Sequence, residues 1–138
     1  GEGDHQLSNQ ITCYFEGPLG VVLPNASSPK AIVSFSLTCR TLVVRQMQGL
    51  PNTHFGATPF DQWILSEVEQ LARLLGCSVV DIYPAQRNPY FYRFFESPQE
   101  QWVYQMRLLR RYNRAPQERG YVLAYHWLRG SVYRLRLQ

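Results

Sequence analysis

The stretch from Thr41 to Pro89 constrains this chain more than any other. Thr41–Gln48 has a strand pattern, Gly49–Thr58 is rich in turn formers, Pro59–Leu75 has helical spacing, and Val79–Tyr83 is almost wholly apolar. In the helical part, Phe60, Ile64, Val68, Leu71 and Leu75 recur every three or four residues, so one face is expected to be buried against a sheet. The ends carry matching signals. Thr58 can cap the helix, Pro59 suits the first helical position, and Asp61 favours the positive end of the helix dipole. Arg73 suits the last turn, and Gly76 suits the left-handed position that follows it. A strand as apolar as Val79–Tyr83 is covered on both faces. Strand, helix and strand with short connections then predict a right-handed crossover between parallel neighbours.

The flanks complete the element order. Residues 1–9 are expected to be a frayed or expression-derived tail, and 10–138 a single domain. Gln10–Glu16, Val21–Leu23, Ala31–Cys39 and Leu42–Gln48 read as four strands of an antiparallel meander. After the crossover, Ser97-Pro98-Gln99-Glu100 is a helix-start signature. It opens a second helix to about Arg114, with Trp102, Met106 and Leu109 as its apolar stripe. Tyr121–Trp127 and Val132–Leu137 read as a closing hairpin. The fold class expected is α+β, a mixed and mostly antiparallel sheet with two main helices.

With 45% hydrophobic and 17% charged residues, the chain falls outside the disordered class. No apolar run approaches the ~20 residues of a membrane helix. Cys13, Cys39 and Cys77 are too scattered for a disulfide framework or a zinc knuckle. They are expected to be reduced, buried small hydrophobes, which favours the cytoplasm. The net charge of +4 is uneven: three bases oppose six acids up to Glu69, and eleven arginines oppose four acids from Gln70 on. This arginine excess fits either phosphate or carboxylate recognition or the codon usage of a GC-rich genome.

The Gly49–Thr58 loop is the leading candidate site. It lies between the carboxyl end of a strand and a helix N-terminus, where α/β folds bind anionic ligands. Gly49 and Gly56 permit close backbone approach, and Asn52, Thr53 and His54 can donate hydrogen bonds. His54 is a candidate general base, and Asp81, a carboxylate inside an apolar strand, a candidate acid or base. A second candidate surface is the aromatic loop Pro89–Phe95, with Arg87 and Arg93 interleaved, beside the helical ridge of Arg107, Arg110, Arg111 and Arg114. Such a surface suits single-stranded nucleic acid, another polyanion or a protein partner. No metal signature, P-loop, CxxC or Ser-His-Asp spacing is visible.

In this order of elements the chain resembles the acetyltransferase fold of the GNAT superfamily, from about Ile11 to Leu137. That family carries a Gln/Arg-x-x-Gly-x-Gly/Ala loop, and the corresponding stretch here runs Gln46-Met47-Gln48-Gly49-Leu50-Pro51-Asn52-Thr53-His54-Phe55-Gly56-Ala57. Gln48-Gly49, and Tyr112-Asn113-Arg114 ahead of Gly120-Tyr121, also resemble a poorly characterised group of GNAT-like proteins. The resemblance implies an acyltransferase-type domain binding acetyl-CoA or a related acyl-CoA in a cleft between the two central strands. Its cofactor-binding positions would be Gln48, Gly49, Asn52, Gly56 and Asn88, with Asp81 and His54 catalytic and no metal. The alternative is a noncatalytic binding module that uses the arginine- and aromatic-rich half.

Overall fold

The computed structural model describes the backbone of residues 11–17, 20–22, 31–49 and 59–138, with side chains for the last two stretches. They fall into two compact units, the first containing residues up to Asp81 together with Arg136–Gln138, the second Ile82–Leu135.

In the first unit, β1 (Ile11–Gly17), β2 (Gly20–Val22), β3 (Ala31–Thr38) and β4 (Thr41–Gly49) form an antiparallel set in the order β2-β1-β3-β4. Beside β4 lies β5 (Val79–Ile82). Ser78 and Val79 donate their N–H groups to the Arg40 carbonyl at 2.8 and 3.3 Å, so both strands begin at the same end and run parallel. The sheet is therefore mixed, as the alternating and continuous apolar patterns predict.

Helix α1 (Phe60–Leu74) packs against β4. It begins one residue later than the sequence signals place it. Pro59 keeps an extended ψ of 143° and stands as the N-cap, and its carbonyl accepts the first helical bond from Trp63 N–H at 3.0 Å. Thr58, the expected cap, lies outside the described residues. At the other end Gly76 takes φ 77°, Cys77 N–H returns to the Ala72 carbonyl at 2.8 Å, and Gly76 N–H to Arg73 at 3.0 Å. This paired closure is the C-terminal motif that a glycine at that position predicts.

Ile64, Val68 and Leu71 are buried as their spacing requires, but Phe60 is only half-buried and Leu75 is exposed. Leu75 caps the helix at φ −86° and ψ 3°, past the last turn that can lie on the sheet. Trp63, Leu65 and Ala72 widen the buried face, and they bring Glu67 and Glu69 under cover with them. With Phe35, Leu42, Val43, Val44, Met47 and Val80 they form the core of this unit.

Burial pushes the Glu67 carboxyl above its ordinary value of 4.5. A raised folded-state pKa gives stability that is present below the unfolded value and lost as pH rises through the folded one. Glu67→Gln keeps the shape without the charge. It is expected to raise the urea midpoint at pH 7 and to match the parent protein near pH 4. A midpoint unchanged at both values would show that the carboxyl carries no burial penalty.

The second unit has a short 3-10 turn (Ala85–Arg87) and helix α2 (Pro98–Leu109), followed by a π-helical turn (Arg110–Arg114) and a last turn α3 (Ala115–Glu118). It ends in the hairpin β6 (Val122–His126) and β7 (Gly130–Arg136). Ser97 caps α2 by accepting the Glu100 N–H at 3.3 Å, as its sequence signature predicts. The expected apolar stripe is only partly covered: Trp102 is 64% and Met106 40% exposed, while Leu109 is half-buried. The residues that turn inward are Leu108, Tyr112, Ala115 and Pro116.

The π turn accompanies Pro116. A proline inside an α-helix clashes with the carbonyl four residues before it, here Tyr112. Widening the preceding turn, with Ala115 N–H bonded to the Arg110 carbonyl, relieves that contact. The three-residue turn of the hairpin is held from two sides. His126 Nδ1 accepts the N–H groups of Leu128 and Arg129 at 3.0 and 3.1 Å. Arg87 lies over the Tyr83 ring at 4.5 Å and donates to the carbonyls of Arg129 and Ser131.

Candidate functional site

The end of β4 is the part of the candidate loop that the structure describes. Along β3 and β4 the register changes: Phe35 faces Val44, Ser34 faces Gln46, and Arg45 is an extra residue with no opposite number. Such a bulge bends a strand, increases its twist and re-aims the residues beyond it. Burial changes at the same place. Thr41–Val44 are buried in succession, whereas after the exposed Arg45 the strand alternates, with Met47 buried and Gln48 exposed.

β5 is short beside β4. Counting forward from the bond between Val79 N–H and the Arg40 carbonyl, at the roughly equal rise per residue of paired strands, Asp81 falls level with about Val43. Only Ile82 remains of that strand. The five residues from Arg45 to Gly49 therefore run on past β5 as a strand.

Gly49 ends β4 against the start of α1. A Cβ at this position would meet Phe60 Cε1 at 3.3 Å, so the missing side chain lets the strand end approach the helix. Gln48 and Gly49 thus stand together at the expected place. Asn52, His54 and Gly56 fall outside the described residues. Asp81 is fully buried in β5 and is engaged by a neighbouring group. Asn88 belongs to the second unit, where its Oδ1 accepts the Tyr90 N–H at 2.9 Å in a local turn. At the α1 N-terminus, Asp61 already supplies a carboxylate.

On the second unit the aromatic loop is divided. Phe91 is buried, while Tyr90, Tyr92 and Phe94 are exposed, and Arg93 lies over the Phe95 ring at 5.0 Å. Arg107, Arg110 and Arg114 are exposed, but Arg111 is half-buried and engaged elsewhere. A groove of about 450 Å³ is lined by Phe95, Gln99, Glu100, Val103, Tyr104 and Arg107. Sequence reasoning missed this groove, which lies on a face of α2 beside the expected Trp102, Met106 and Leu109 stripe rather than on it.

Among the described residues no cluster of His, Cys, Asp or Glu could hold a metal ion, and no helix is long and apolar enough to cross a membrane. Cys39 is exposed, against the expectation of burial, because it sits at φ 48° in the left-handed turn joining β3 to β4. Cys77 is buried, and burial pushes its thiol up, partly offset by the nearby Arg40 charge.

No protein-family model matches the chain, and no curated protein does. Two solved structures have a similar fold. One is the PaiA N-acetyltransferase of Thermoplasma acidophilum in complex with coenzyme A, at 9% identity and TM-score 0.44, covering 85% of this chain and 58% of that one. The solved structures it resembles are named as acetyltransferases. The other is a Desulfovibrio desulfuricans protein described as an acetyltransferase of the GNAT family, at 14% identity and TM-score 0.43, covering 86% of this chain and 67% of that one. The chain thus spans less than two thirds of the first structure's length.

Proposed function

We propose that this chain is a GNAT-like, acyltransferase-type domain that binds an acyl-CoA-like ligand along the outer half of β4. The observation that carries this reading is the combination of the Arg45 bulge with a β5 that ends near its level. A strand that outruns its neighbour presents backbone donors and acceptors on that side. An extended amide chain such as pantetheine satisfies such groups by pairing as a strand does. Gly49 keeps the strand end low, without a side chain over the path.

Asp61 places negative charge at the start of α1, where a phosphate would otherwise be attracted. The amide portion of the ligand, rather than its phosphates, is therefore the part that the strand end recognises. His54 and the fully buried Asp81 are the candidates for proton transfer, and Asn52 and Gly56 for further ligand contacts. The scattered cysteines suit a reducing compartment such as the cytoplasm.

Acetyl-CoA titration by calorimetry tests the reading. The expected result is saturable heat from the parent protein and its loss in Gly49→Pro, which removes the last strand N–H. Far-UV circular dichroism checks that the variant is folded. No heat at millimolar ligand from a folded parent protein rejects acyl-CoA as the ligand. Binding that survives Gly49→Pro unchanged moves the ligand away from β4.

A further inference from the structure

The second unit ends in a strand with unusual surroundings. β6 pairs with β7 on one side and, among the described residues, has no strand on the other. Proteins commonly protect such an edge with charges, prolines or bulges. Val122-Leu123-Ala124-Tyr125-His126 contains none of the charged residues or prolines that do this. Both faces are uncovered as well: successive residues Val122 and Leu123 point to opposite faces and are 64% and 62% exposed. Tyr125 is 76% exposed, and Trp127 and Leu128 in the adjoining turn are 80% and 71% exposed.

We infer that β6 is a homodimer edge, on which β6 of a second copy pairs antiparallel about a two-fold axis. The occupant follows from three features. First, an antiparallel strand is complementary to itself, so each unpaired N–H finds a carbonyl on an identical partner. Second, the rest of this unit is basic, yet the strand is uncharged. Nothing in it selects an acidic partner, and nothing in it repels a copy. Arg119 and Arg129 flank the strand, but both are engaged within their own chain. Third, the area is sufficient. An aromatic side chain alone can bury roughly 150–250 Å², so Val122, Leu123, Tyr125, Trp127 and Leu128 together approach the ~800 Å² per partner of a stable complex.

The test is sedimentation equilibrium of the full chain over a wide concentration range. The parent protein is expected to dimerise, and Tyr125→Lys or Val122→Lys to weaken the dimer at least tenfold, since each brings two charges, one from each copy, into an otherwise uncharged strand pair. Leu74→Lys, at an exposed apolar residue of the first unit, is expected to leave it unchanged. Hydrogen exchange supplies a readout independent of the variants: Val122–His126 amides should gain protection as the protein concentration rises. Because the units that meet are both basic, the dimer should tighten with salt as repulsion is screened. A parent protein that stays monomeric at high concentration overturns the proposal. So does a dimer that survives both β6 charges, or one whose β6 amides exchange independently of concentration.

Discussion

Ile64→Ala is expected to destabilise the protein by about 2–5 kcal/mol, by the transfer term and the cavity that large-to-small core changes leave. Leu75→Ala, four residues beyond Leu71 on the same helical pattern, is expected to change stability by no more than about 0.5 kcal/mol. The contrast comes from burial. Ile64 is wholly buried between α1 and the sheet, whereas Leu75 caps the helix and is 46% exposed. Leu65, Val68, Val44 and Val80, which belong to the core of the same unit, are themselves fully buried. Such surroundings collapse poorly into a vacated space, so the loss should lie away from the bottom of its range. Urea denaturation with a common m-value measures both variants. Equal midpoints for the two would mean that α1 does not lie on β4, and the described architecture would fail with it.

The difference between those two positions shows what a sequence pattern can and cannot hold. Spacing marks which residues share a helix face, but it does not mark where the helix leaves the sheet. The Gly76 closure was legible because glycine answers a local need, the left-handed φ of one residue. The β4 and β5 strands were legible for the same reason: apolar runs bounded by turn residues. The α2 stripe was not. Trp102, Met106 and Leu109 fit a helical period, but which side of a helix meets the core depends on its partners. Here Leu108, Tyr112 and Ala115 turn inward.

The candidate site was legible to a similar depth in its position alone. Gln48-Gly49 at a strand end next to a helix start could be read directly, and the structure places both there. The Arg45 bulge could not be read, because a bulge is a mismatch between two strands and the signal lies in neither alone. Asn88 carried no sign that its side chain would close a local turn on Tyr90. For the π turn a signal was present in Pro116, a proline in the middle of a helical stretch.

Asn113→Ala is expected to cost about 1–3 kcal/mol, the usual penalty for a buried donor left without its acceptor. Asn113 lies inside the π turn and reaches the 3-10 turn at residues 85–87. Its Oδ1 accepts the Ala85 N–H at 2.8 Å, and its Nδ2 donates to Gln86 Oε1 at 3.2 Å. The two bonds differ in weight. Ala85 is fully buried, so water cannot replace the lost acceptor, whereas Gln86 is exposed and can turn to solvent. Asn113→Asp keeps the acceptor and removes the donor, and it should therefore retain most of the stability that Asn113→Ala loses. Pro116→Ala tests the cause of the geometry. With the proline ring gone the wide turn loses its reason, and a return to α-helical winding would rotate Asn113 away from Ala85. Pro116→Ala and Asn113→Ala should then be less than additive in a double-mutant cycle, because both act through one hydrogen bond. Urea midpoints and the Ala85 amide proton shift together read the outcome. Asn113→Asp as damaging as Asn113→Ala would show that the Ala85 bond is not what holds the two turns together.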